Sequence, residues 1–139
     1  MKKPALLFSL KCAVILYFAA CTNIDRITVA RTVSQAVTAG NWKIQHYAAA
    51  DKDHTKTFSD YELTFNDGGT VLIKTNGKCF EGNWYEDNIK KTLVLNIGSN
   101  DKNVQQLNAN WNITGVSDNV IAFDNNDSQA SESMSIGKQ

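Results

Sequence analysis

The chain has 139 residues, a length suited to one small domain with a single hydrophobic core. Its 14 basic side chains match its 14 acidic ones, and no basic excess is present to dock nucleic acid. Three cysteines (Cys12, Cys21 and Cys79) allow one disulfide at most, so disulfides do not frame the fold.

The first residues read as a leader. Lys2 and Lys3 form a positive start, and residues 5–20 are an apolar run broken only by Ser9 and Lys11. A stretch this short, with basic flanks and small residues before a cleavage point, is a signal peptide rather than a membrane span. Phe18-Ala19-Ala20-Cys21 resembles the lipobox of bacterial lipoproteins, which implies acylation of Cys21 and cleavage just before it. A plain secretory peptide with an unmodified Cys21 is the alternative. Cleavage after residue 20 leaves 119 of the 139 residues. It removes three lysines and no acid, so 11 basic groups face 14 acidic ones, a net charge of −3. That balance argues against a nucleic-acid partner and against binding to an anionic membrane by charge alone. Cys12 would leave with the leader and Cys21 would carry lipid, so Cys79 would stand alone, a passive thiol with no base in view.

Residues 21–39 are expected to be a tether and a short helix. Val33, Ala36 and Val37 have helical spacing, and Gly40 stands where a helix could end. A strand then opens at Trp42, with Trp42, Ile44 and His46 alternating against Lys43, Gln45 and Tyr47. Residues 48–57 lack an apolar period and read as a polar connector. Residues 58–97 form the clearest stretch, an antiparallel meander of four strands. Tyr61, Leu63 and Phe65 alternate with polar residues, and Asn66-Asp67-Gly68-Gly69 turns the chain into Val71-Leu72-Ile73. Asn76-Gly77 is a strong hairpin signal. Phe80, Gly82 and Trp84 follow on one face, then Leu93, Leu95 and Ile97. Asp101 can cap a short helix through Val104 and Leu107. Three further strands are expected around Trp111 and Ile113, Ile121 and Phe123, and Met134 and Ile136. Eight strands at about ten-residue spacing predict an all-β sandwich or barrel. Trp42, Trp84 and Trp111 are each preceded by Asn, a faint internal echo.

A Gly-x-Trp at the first strand, after a helical turn, resembles the first motif of the lipocalins. The order of an aromatic strand at residues 61–65, a second Gly-x-Trp at Gly82, a helix bearing Leu107 and a Trp111 strand is similar to small lipocalin-like lipoproteins of bacteria. The resemblance spans about Gly40 to Lys138. It implies an all-β, eight-stranded antiparallel up-and-down barrel with a short N-terminal helix, the barrel domain covering residues 40–138. It also implies a cation near the last strand to cover the first tryptophan, for which Lys138 is the candidate.

An eight-stranded barrel is just wide enough either to be filled by its own side chains or to hold one small ligand. The expected ligand-contacting set is Trp42, His46, Tyr61, Gly82, Trp84 and Trp111, with Gly82 leaving room on the wall and His46 and Tyr61 lining one end. No metal site is expected. His54 beside Asp51 and Asp53 lacks further ligands, and Asp124-Asn125-Asn126-Asp127 lacks the glycine and distal glutamate of a calcium loop. Asn112-Ile113-Thr114 matches a glycosylation sequon only in letters. No nucleophile–base pair, paired carboxylates or phosphate loop stands out, so neither an enzyme nor a cofactor is expected. The expectation is a monomeric envelope lipoprotein, held to the outer membrane by lipid at Cys21, that binds a small apolar or amphipathic molecule. The alternative is a non-enzymatic interaction module with a filled barrel, its outer Tyr47 and Tyr85 forming a contact patch.

Overall fold

The structure is a computed structural model that describes residues 32–127 and 129–139; the leader and Cys21 lie outside the described residues. Helix α1 (Val33–Val37) leads into β1 (Asn41–Ala49), followed by a two-residue β2 (Lys52–Asp53) and a 3-10 turn (Thr55–Phe58). The meander is β3 (Glu62–Phe65), β4 (Thr70–Thr75), β5 (Lys78–Asp87) and β6 (Thr92–Ile97). Helix α2 (Lys102–Gln106) precedes β7 (Ala109–Val116), β8 (Val120–Asn125) and β9 (Glu132–Lys138).

Each strand from β3 onward pairs antiparallel with its sequence neighbour, and β9 pairs back on β1. With β2 only extending β1, eight strands close into an up-and-down barrel, which leaves the long strands no free edge. The expected barrel is therefore the observed fold. One ring end is closed by α1, where β1 begins and β5 and β7 finish; the other is covered by α2 and the 3-10 turn. Asp101 caps α2 as its sequence position predicts, accepting from the amides of Asn103 and Val104 at 2.9 and 3.3 Å. Thr32 does the same for α1, which ends at Thr38 rather than running on to Gly40.

The apolar alternation becomes one buried cluster: Leu63, Phe65, Val71, Ile73, Leu93, Leu95, Ile97, Ile121, Phe123, Met134 and Ile136 all lie in the core, together with the three tryptophans. In β1 the alternation fails. Ile44 pairs with Ile136, but His46 pairs with Ser135, so β1 carries an extra residue at Gln45. Such a bulge reverses the facing of everything beyond it. His46 is therefore exposed on the outer wall, with Nε2 3.4 Å from Ser133 Oγ, and Tyr47 is fully buried. Both expectations, His46 inward and Tyr47 outward, are corrected. Gly137 gives the side chain of the bulged Gln45 a place to lie. A Cβ there would lie 1.8 Å from Gln45 Nε2.

Candidate functional site

The interior is where a lipocalin-like ligand would sit, and the structure fills it. At the α2 end the ring centroids of Tyr61 and Phe58 are 5.1 Å apart, those of Phe58 and Tyr47 4.5 Å, and those of Tyr47 and Trp111 6.3 Å. Phe123 continues the series 6.5 Å from Trp111. This row of rings stands across the end that His46 and Tyr61 were expected to leave open. Phe58, Tyr47 and Trp111 are fully buried. Phe58 comes from the stretch after the polar connector: Thr55 Nα donates to Asp53 and Thr57 Nα to His54, which winds the 3-10 turn and drops Phe58 inward.

The polar atoms carried inside are held. The Tyr47 hydroxyl donates to Glu132 Oε1 at 2.9 Å, and Glu132 Oε2 accepts from Asn125 Nδ2 at 2.8 Å. Burial first, and the Glu132 carboxylate second, push the Tyr47 phenol well above its ordinary range. Tyr61 is likewise raised by burial and by the charge of Asp101 at the start of α2. Both side chains are buried.

The tryptophans act as ties. Trp42 Nε1 donates to Val37 O at 2.8 Å, Trp111 Nε1 to Leu107 O at 2.9 Å, and Trp84 Nε1 to Asn66 O at 3.0 Å. In the first two, an indole five residues beyond a short helix bonds the carbonyl at or just past that helix's last residue. The Asn-Trp echo in the sequence thus marks a repeated helix-to-strand fastening, one at each barrel end. Gly82 leaves no room either. A Cβ at Gly82 would stand 2.5 Å from Asn96 O and 2.6 Å from Ile97 Cα, so its bareness lets β6 approach β5. Of the six expected ligand contacts, Trp42, Tyr61, Trp84 and Trp111 are core, Gly82 is a packing contact and His46 is outside. Lys138 does reach the first tryptophan's strand, pairing opposite Trp42 with its stem over Gly40.

Concave surface lies on the outer wall. A groove of about 420 Å³ runs between α1, the β3–β4 turn and β5, lined by Gln35, Thr38, Asp67, Gly69, Trp84 and Tyr85 among others. Tyr85 is 59% exposed on its wall. Its floor is fixed because the Glu86 carboxylate accepts from the amides of Val33 and Ser34, at 3.2 and 2.8 Å, and from the Ser34 hydroxyl. Of the two tyrosines expected on the outer wall, Tyr85 alone stands there. The groove escaped sequence reading because it forms between α1 and strands some 50 residues away. A second groove of similar volume beside the β4–β5 turn is lined by Asp60, Glu62, Lys74, Lys78 and Cys79. Cys79 is exposed and unpaired by disulfide. Among the described residues, no group of His, Cys, Asp and Glu is placed to hold a metal, and no helix is long and apolar enough to cross a membrane.

The fold and its plugged interior define a small closed up-and-down β-barrel. Among solved structures, a crystal structure of a DUF4847 family protein from Bacteroides vulgatus is similar, with a TM-score of 0.59 and 15% sequence identity over 77% of this chain and 99% of that one. At that identity the likeness concerns the fold. No family model matches the sequence, and no curated protein matches it.

Proposed function

We propose that the protein is a lipid-anchored lipoprotein of the bacterial envelope whose barrel is a non-enzymatic interaction module, engaging its partner through the outer wall. The observation that carries this reading is the filled interior: Tyr47, Phe58 and Trp111 occupy the end where a ligand would enter, each fully buried. Drug-sized ligands need a concave space of a few hundred Å³, which the packed core does not leave, whereas a groove of about 420 Å³ beside Tyr85 lies on the outer wall, open to a partner's side chains. An exposed tyrosine flanked by Gln35, Thr38 and Asp67 suits a contact that combines ring area with hydrogen bonds. The likeness of residues 18–21 to a lipobox, and of the motif order to lipocalin-like lipoproteins, supports the anchor and the envelope setting. The outer membrane fits Thr22, which is not the aspartate that keeps many such proteins in the inner membrane.

The test uses the full chain in its bacterial host. A photo-crosslinking amino acid at Tyr85 should trap a discrete adduct. Native mass spectrometry of the detergent-extracted protein should show the acylated polypeptide without a bound small molecule. A small molecule held stoichiometrically, with no adduct at Tyr85, would return the function to ligand carriage. Cys21→Ser should move the protein out of the membrane fraction.

A further inference from the structure

The described residues expose four large apolar side chains, and their places in the fold are not scattered. Tyr85 and Ile89 lie at the end of β5 and in the turn after it, while Val116 and Val120 end β7 and begin β8. All four are at or near the α1 end. Polar turn residues stand at both ends, with Asp67, Asp87 and Asp118 at the α1 end and Asp51, Asn76 and Asp127 at the α2 end. Among the described residues the exposed large apolar side chains are confined to the α1 end.

The apolar tips are built to stay exposed. Asp87 Oδ1 accepts from the amides of Ile89 and Lys90 at 3.0 and 2.9 Å, which folds the β5–β6 turn and leaves Ile89 95% exposed between Asn88 and Lys90. Ser117 Oγ accepts from the Val120 amide and donates to the Val120 carbonyl, both at 2.9 Å, fixing the β7–β8 turn between the two valines. A crevice of about 220 Å³ joins these elements: Thr32 and Val33 at the chain's entry, Asn88 and Lys91 from one turn, Ile113 and Val116 from β7. The chain thus enters the barrel at the end where the apolar tips stand.

We infer that the α1 end is a membrane-docking face, with Ile89 and the Val116 and Val120 tip resting in the headgroup layer of the bilayer that holds the anchor. This rests on the reading of Cys21 as lipidated. Cys21 and Thr32 are eleven residue steps apart, so even a fully extended chain holds the entry point within about 40 Å of the bilayer surface. Of the two ends, the one so held is the one that shows apolar tips. Apolar side chains buried at the headgroup boundary, with lysine ammonium groups at phosphate level, make up the usual chemistry of interfacial contact; Lys90 and Lys91 sit beside Ile89. The Tyr85 groove would then open just above the bilayer, toward a partner that is itself at the membrane surface.

The experiment places an environment-sensitive fluorophore on a thiol of the full acylated chain in phosphatidylethanolamine–phosphatidylglycerol vesicles. One sample carries Ile89→Cys with Cys79→Ser; the control carries the label on native Cys79, which begins β5 at the opposite end. The Ile89→Cys probe should shift to the blue and be quenched several-fold by nitroxide-bearing lipids, while the Cys79 probe stays unchanged. Vesicles that float with the protein but leave the Ile89→Cys probe unquenched overturn the docking face and spare the anchor. Quenching at Cys79 instead overturns it too. So does a blue shift that appears without vesicles and grows with protein concentration, which would assign the tips to a contact between copies. Protein that fails to float with the vesicles overturns the lipidation reading and the docking face together.

Discussion

At the scale of single residues, the tryptophans combine area with a bond that the fold cannot replace. Each buries a large ring and satisfies a carbonyl at a barrel end. Trp42→Ala or Trp111→Ala should cost about 3–5 kcal/mol, a fall of roughly 12 °C or more in Tm for a domain of this size. Thermal unfolding followed by near-UV circular dichroism measures it, and a variant that melts unchanged would place that indole outside the core. The two raised phenols set an alkaline limit. Tyr47 and Tyr61 are held protonated in the folded state above their ordinary value. Their contribution is complete below that value, near pH 10, and is lost as pH climbs beyond it. Tyr47→Phe should flatten the decline of Tm above about pH 10 relative to the native chain, while lowering Tm at neutral pH by loss of the Glu132 bond.

Among the elements, what could be read ahead of the structure follows from how local each signal is. Asn76-Gly77 announces its hairpin because both residues tolerate the left-handed backbone they adopt, with φ of 47° and 75°. The β1–β2 hairpin uses the same kind of turn at Ala50 and Asp51, with φ of 51° and 60°, but alanine gives no such warning. Those ten residues therefore read as a plain connector. Ala50→Asn should relieve that strain and gain a few tenths of a kcal/mol or more. The β1 bulge was hidden for a different reason. One added residue at Gln45 leaves composition untouched and only inverts the alternation beyond it, which exchanged His46 and Tyr47. Residue hydrophobicity held the clue, since a tyrosine buries more readily than a histidine beside a core strand. The outer groove was illegible because α1 is fastened through Glu86, whose partners Val33 and Ser34 lie more than 50 residues away. Glu86→Ala leaves those amides and the Ser34 hydroxyl without their acceptor and should cost about 1–3 kcal/mol. Hydrogen exchange should then show the α1 amides opening while the meander stays protected; equal protection in both would mean that α1 docks without Glu86.

For the whole molecule, closure decides stability, and the proposed outer-wall function depends on it. The meander strands meet their neighbours across turns, but β1 must find β9, joining Trp42 to Lys138 across nearly the whole barrel sequence. No local pattern encodes that pairing; it follows only because a closed ring with a full core leaves β1 no other long partner on that side. Two glycines test how closure is achieved. At Gly82 an added Cβ meets backbone of β6, which cannot move without opening the β5–β6 ladder, whereas at Gly137 it meets the side chain of exposed Gln45, which can swing into solvent. Gly82→Ala should therefore destabilise by well over 1 kcal/mol, in the range of overpacked sites, and Gly137→Ala by less. Removing β9 is the sharper experiment. A chain ending at residue 131 loses Met134 and Ile136 from the core and exposes edges on both β1 and β8, the arrangement that invites strands of other chains to add. It should fail to give a cooperative melt and should elute as aggregate on size exclusion. A truncated chain that remained a cooperatively folding monomer would mean that β9 is applied to a barrel already stable without it, and the filled, closed ring would lose its place as the basis of the proposed function.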